Sequence, residues 1–208
     1  MESLVQSQSM YIASLAGGIA FALSGFIAGS KKNLDWMGLF ILSLLTANGG
    51  GILRDVLADR PPVILLSNEP FLIALLVTLM GSLFKLHRHA AFENRWLFVI
   101  CDAVGLVAFA ITGALVALAI KAPFFGLITL AFLTAAGGAI LRDILVNEIP
   151  EVLHSGFYGS IAILVAIAIY LLNRHGSLTS LSLMSVFVCG LILRLVAYRH
   201  RWKLPKVE

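Results

Sequence analysis

Two ten-residue segments place charged, hydroxyl and glycine residues inside otherwise apolar sequence. The first is Thr46-Ala47-Asn48-Gly49-Gly50-Gly51-Ile52-Leu53-Arg54-Asp55, and the second is Thr134-Ala135-Ala136-Gly137-Gly138-Ala139-Ile140-Leu141-Arg142-Asp143. An arginine or aspartate at the centre of a membrane-spanning helix costs about 2.5–3.5 kcal/mol, so an Arg-Asp pair that occurs twice marks a functional site by default. Adjacent helical residues point about 100° apart and do not face each other well. That spacing predicts cross-pairing of Arg54 with Asp143 and of Arg142 with Asp55. The competing reading is structural, with buried ion pairs fixing two helices against each other.

Each glycine weakens a helix by about 1 kcal/mol relative to alanine. Gly49, Gly50 and Gly51, with Gly137 and Gly138, therefore predict a break in each segment near the bilayer midplane. Freed carbonyl oxygens and half-helix ends there would suit a cation or a small zwitterion. The alternative is that small residues permit tight helix packing. Asn48 stands where the second segment has Ala136, and its amide oxygen offers a ligand to a passing cation without a fixed charge. Thr46 and Thr134 add candidate hydroxyl ligands, although a hydroxyl bonded back to its own helix is the commoner arrangement.

Other chemistry is weak. Asp102 reads as an interfacial carboxylate rather than a pathway residue, and Cys101 and Cys189 read as packing residues. His87, His89, His154, His175 and His200 have no ligand spacing, so no metal site is expected. There is no nucleophile elbow and no HExxH, and two in-membrane aspartates at matching positions do not establish a protease dyad. Neither glycine run follows a strand, as a phosphate loop requires. The sequence thus points away from an enzyme and implies no cofactor.

The elements that must hold these segments are membrane helices. Of 208 residues, 60% are hydrophobic and 12% charged, against roughly 45–50% and 25% in soluble domains. Apolar runs at about 10–29, 36–58, 69–86, 96–120, 123–146, 153–172 and 178–198 predict an all-α integral membrane protein with seven transmembrane helices. A span needs about 20 residues, so seven use nearly the whole chain, residues 1–208, as a single membrane domain with no room for a soluble one. The first nine residues lack a basic start and a cleavage site, so the first apolar run is expected to be retained.

The net charge is +4. Lys31, Lys32, Lys85, Arg88, Arg95, Arg199, Arg201, Lys203 and Lys206 fall on one side of seven spans, and only Arg60, Lys121 and Arg174 on the other. The positive-inside rule then puts the N-terminus outside and the C-terminus in the cytoplasm, with the basic tail near anionic membrane lipids. Nucleic-acid binding is not needed to explain the charge.

A shift of 88 residues aligns 42–57 with 130–145 without a gap, and the match extends from Phe21/Phe109 to Ser67/Ser155. Roughly 40% of positions are identical over this core, beyond what shared composition gives. The first repeat covers about 10–86 and the second about 96–172, with an extra helix at about 178–198. Three spans per copy is an odd number, so the two three-helix repeats must be inverted. That architecture favours transport.

Seven spans, a three-plus-three inverted repeat and a GGG-x-x-RD or GGA-x-x-RD motif in the second and fifth spans resemble the prokaryotic branch of the trimeric intracellular cation (TRIC) channels. The resemblance implies a homotrimer in the inner (plasma) membrane, with one pore per subunit lined by broken second and fifth spans. Such a pore conducts potassium chiefly and sodium as well. Carried onto this chain, the motif residues are Gly49, Gly50, Gly51, Arg54, Asp55, Gly137, Gly138, Arg142 and Asp143. The lysine-containing phosphoinositide motif of animal members has no evident counterpart. The alternative is a carrier for a small zwitterion such as glycine.

Overall fold

The computed structural model describes residues 8–84, 95–154 and 157–202, and its regular structure is α-helical. In chain order the helices are α1 (Gln8–Lys31), α2 (Trp36–Leu57), α3 (Val63–Leu66), α4 (Glu69–Leu83), α5 (Arg95–Ala119), α6 (Phe124–Leu145), α7 (Glu151–His154), α8 (Gly159–Arg174) and α9 (Ser180–Arg199). Among the described residues, five helices (α1, α2, α5, α6 and α9) are long and apolar enough to cross a membrane, and α4 and α8 are shorter apolar helices. The sixth apolar run, expected from residue 153, divides into the single turn α7 and the longer α8. Large apolar side chains such as Leu65, Leu83, Phe125 and Leu181 are exposed, as a lipid-facing surface requires.

Local sequence sets the helix ends. Asp35 caps α2 by accepting from the Gly38 N–H at 2.7 Å, and Thr179 with Ser182 forms a capping box at the start of α9. Asn33, Asp59, Lys121 and Asn147 follow α1, α2, α5 and α6 with positive φ. Those four positions form two pairs separated by 88 residues, so equivalent turns place their left-handed residue at the same position.

The long-range contacts also come in mirrored pairs with that offset. At the centre, α1 packs antiparallel on α5: Phe21 meets Phe109 with ring centroids 5.3 Å apart. Gly17 lies under Ala108 and Phe109, and Gly105 lies under Phe21. The helices α2 and α6 cross through their glycines. A Cβ on Gly50 would lie 2.0 Å from the Thr134 carbonyl oxygen, and one on Gly138 would lie 2.1 Å from that of Thr46. Gly49 meets Leu141 as Gly137 meets Leu53.

This crossing corrects the expected break. Both α2 and α6 are helical from first residue to last, because the glycines serve close approach of two backbones rather than unwinding of either. The helix weakness they cause is offset by the packing they allow.

At one end of the molecule, the Lys32 ammonium lies 2.5 Å from Glu148 Oε1 and joins the α1–α2 turn to the α6–α7 turn. That hydrogen bond and the lysine charge hold the Glu148 carboxyl below its ordinary pKa. The basic residues Lys85, Arg88, Lys203 and Lys206, and His87 and His89, lie outside the described residues, as do the first seven positions of the chain.

Alanine at Gly50 or Gly138 should lower the melting temperature of the detergent-solubilised protein, because overpacking a tight contact costs about 1–3 kcal/mol. Alanine at Gly51, whose Cβ would meet only Arg54 Nη2 at 3.8 Å, should melt at or above the wild-type temperature. A Gly50→Ala protein as stable as wild type would contradict the close crossing.

Candidate functional site

Each arginine of the matched segments sits three residues before the end of its helix. Arg54 Nε and Nη2 donate to Asp55 Oδ1 at 2.9 Å and Oδ2 at 3.0 Å. The Val63 N–H, at the start of α3, donates to the same Oδ2 at 3.2 Å. The second segment repeats the device: Arg142 Nε donates to Asp143 Oδ1 at 2.8 Å, and the Glu151 N–H, at the start of α7, donates to Asp143 Oδ2 at 3.0 Å. Each aspartate thus ties the end of a long helix to the short helix that follows.

The expected cross-pairs, Arg54 with Asp143 and Arg142 with Asp55, are therefore overturned. Because α2 and α6 run antiparallel through the Gly50/Gly138 crossing, residues four positions beyond it diverge, and eight helical residues separate the two arginines by about 12 Å of rise. An arginine side chain is long enough to turn back onto the next residue despite the unfavourable helical angle.

The two arginines differ in what else surrounds them. Arg142 is fully buried. Its Nη1 donates to Asp102 Oδ1 at 2.5 Å and to Ser24 Oγ, and its guanidinium lies 4.7 Å from the centre of the Phe98 ring. Asp102, expected at the interface, is instead fully buried and is a partner of Arg142. Its signal was a carboxylate within an apolar span, which must find a cation. Its equivalent 88 residues earlier is Ser14, so the repeat did not point to it.

Arg194 of α9 also escaped sequence reasoning. It is 2% exposed, lies 4.6 Å from the Tyr158 ring centre, and its Nη2 is 3.5 Å from Glu151 Oε2. Burial, and the negative charges of Asp102 and Asp143, raise the Glu151 carboxyl in α7, while Arg194 and Arg142 oppose that shift.

In the first half, a cavity of about 390 Å³ opens among α1, α2 and α4, lined by Tyr11, Ser14, Asn48, Gly51, Arg54, Asp55 and Glu69. The Tyr11 hydroxyl donates to Glu69 Oε1 at 3.2 Å. Asn48 Nδ2 donates to Leu44 O at 2.9 Å. The second-half equivalents of Asn48 and Gly51 are Ala136 and Ala139, both buried in the core.

The remaining expected site residues belong to the crossing and not to the cavity. Thr46 and Thr134 are buried, and each hydroxyl donates back to its own helix at 2.6 Å, to Leu42 O and Leu130 O. Gly49, Gly50, Gly137 and Gly138 form the helix contact. Cys101 is buried as expected, whereas Cys189 lies exposed on α9.

A helical fold with several membrane-length apolar helices, carrying paired charges at both ends of a glycine crossing, defines a multi-pass membrane protein. A sequence model of the family described as glycine transporter matches residues 11–87 and 99–174. The membrane protein YvgT of Bacillus subtilis is 37% identical over 195 residues, 92% of this chain and 93% of that one. A solved structure described with the basis of conductance through TRIC cation channels is 32% identical, with a TM-score of 0.84, covering 95% of this chain and 96% of the other. The TRIC orthologue from Rhodobacter sphaeroides is 28% identical, with a TM-score of 0.86, covering 94% and 100%. The chain therefore belongs to this glycine-transporter family and is a prokaryotic member of the TRIC group.

A double-mutant cycle on thermal stability should give a coupling of about 1–3 kcal/mol for Arg142 with Asp102, and none beyond about 0.5 kcal/mol for Arg54 with Asp143. Coupling of the second pair as large as that of the first would restore cross-pairing.

Proposed function

We propose that the protein is a passive channel for monovalent cations, potassium chiefly and sodium as well, with one pathway per subunit of a homotrimer in the inner membrane. The observation that carries this reading is the cavity beside Asn48, Arg54, Asp55 and Glu69, which brings an amide and two carboxylates together among α1, α2 and α4. Oxygen ligands of this kind replace part of a cation's water shell, and Arg54 keeps the Asp55 charge from trapping it. The similarity to solved TRIC cation channels supports the same reading.

The fold we propose for this function is a single membrane domain of seven spans, with α4 and α8 completing the set. Its two three-helix units are inverted about an axis in the membrane plane, and α9 is the extra helix. The antiparallel contact of α1 with α5, centred on equivalent residues Phe21 and Phe109, supports the inversion. The basic turn at Lys31 and Lys32 supports an N-terminus outside and a C-terminus in the cytoplasm.

A second reading, a carrier for glycine, is favoured by the description of the family and by a cavity large enough for a small zwitterion. Neither reading assigns the protein an enzymatic reaction or a cofactor.

Planar-bilayer recording of the purified protein separates the two. Unitary potassium currents are expected, whereas saturable uptake of labelled glycine without unitary currents would replace the channel by the carrier. Replacing Arg54 or Arg142 by glutamine should change open probability more than the potassium-to-sodium permeability ratio, and unchanged gating in both variants would remove the arginines from the gate.

A further inference from the structure

The first-half cavity carries at its mouth a carboxylate that no arginine neutralises. Its lining includes Tyr11 and Glu69, which are exposed, and Gly18, Ala47 and Phe109, which are buried, so a polar mouth leads to an apolar floor. At that mouth the Tyr11 hydroxyl of α1 donates to Glu69 Oε1 of α4 at 3.2 Å. Local sequence sets the carboxylate there: Ser67 Oγ accepts the Glu69 N–H at 3.2 Å, and the first turn of α4 favours a negative charge. The second half has no such pair. The residues 88 positions on are Val99 and Phe157, and Phe157 packs on Trp202 with ring centres 5.2 Å apart.

Charge accounting separates the two carboxylates of the lining. Asp55 is buried and matched, since Arg54 Nε, Arg54 Nη2 and the Val63 N–H all donate to it. Arg60, outside the lining, adds a second cation 3.9 Å from Asp55 Oδ1. Glu69 has no ion-pair partner among the described residues, and the Tyr11 hydroxyl brings it no charge. The lining, with Arg54, Asp55 and Glu69, therefore carries one net negative charge, and that charge belongs to Glu69. A neutral donor such as tyrosine fixes a carboxylate in place without cancelling its field. Low-dielectric walls focus such a field and raise the local concentration of ions of opposite sign.

We infer that Glu69 is the recruiting carboxylate of the pathway, drawing monovalent cations into this mouth, and that Tyr11 is the positioning residue that holds it there. The inference rests on the cation-pathway reading and adds to it which group gathers the ion and at which end. With the N-terminus outside, that end faces out. The charge acts on entry and not on the choice between ions, because a carboxylate at an open, hydrated mouth attracts potassium and sodium alike. A unit charge about 4 Å away in water concentrates a monovalent cation about fivefold. The benefit belongs to dilute solution, since the Debye length falls from about 30 Å at 0.01 M salt to about 3 Å at 1 M.

Unitary potassium currents in symmetric solutions of about 0.01 M and about 1 M potassium chloride test it. In the dilute solution Glu69→Gln should lower the current about fivefold for ions entering by this mouth, so the loss appears at one voltage polarity. In the concentrated solution it should match wild type. Glu69→Asp, which keeps the charge, should retain most of the dilute-salt current, and Tyr11→Phe, which frees the carboxylate, should lie between Glu69→Gln and wild type. A Glu69→Gln channel with wild-type current in dilute salt, or with an equal loss at both concentrations, overturns the proposal, and a Tyr11→Phe channel identical to wild type removes Tyr11 from its role. Absence of any unitary current overturns the pathway reading instead. The mouth is then read by chemistry, with Ser14→Cys placed in the cavity of a Cys189→Ser background and modified in dilute salt by cationic and anionic thiosulfonates of similar size. A cation-to-anion rate ratio that falls about fivefold or more on Glu69→Gln supports recruitment, and an unchanged ratio refutes it.

Discussion

The antiparallel contact of α2 with α6 is the constraint from which the rest of the arrangement follows. A carbonyl oxygen of each helix occupies the place where the other would begin a side chain, at Gly50 and Gly138. No residue but glycine permits that approach. Once the helices cross there, Arg54 and Arg142 must lie on opposite sides of the contact, each near its own helix end. Each aspartate then caps the first free N–H of the short helix that follows. The crossing thereby sets both the depth of the charges and the direction in which the chain leaves them.

On this shared backbone frame the two halves are filled differently. Gly51 and Asn48 leave room in the first half, where Ala139 and Ala136 close the second. Val63 begins α3, whereas its equivalent Glu151 begins α7 and draws Arg194 of α9 into the interior. Ser14 lines the open cavity, and its equivalent Asp102 binds Arg142. The difference between the halves thus rests on a few side chains, supplemented by α9, which has no counterpart in the 88-residue correspondence.

Much of this was legible in the sequence because repetition doubles a signal. The 88-residue offset, the glycine runs and the Arg-Asp pairs all stand out twice, and each occupies equivalent places in the fold. What repetition could not convey was direction. Glycines that weaken a helix also allow close contact, and only the partner's position decides between them, so the breaks expected in α2 and α6 are intact helix. Facing angles on a helix likewise say little about an arginine, whose reach exceeds the spacing of its neighbours. Asp102 and Arg194 were hidden for the opposite reason, since neither has a charged equivalent in the other half.

Magnitudes decide what kind of stimulus can release Arg142. Moving one full charge through the whole membrane field is worth about 2.3 kcal/mol per 100 mV. Arg142 lies three residues from a helix end, so a swing of its side chain samples only part of that field and gains less. Against this stand its bonds to Asp102 and Ser24, and hydrogen bonds to charged groups are worth about 1.5–3 kcal/mol each. Voltage of ordinary size therefore falls short of breaking the contact by itself. Arg54, with a single carboxylate and a cavity beside it, lacks the second carboxylate and the hydroxyl that hold Arg142.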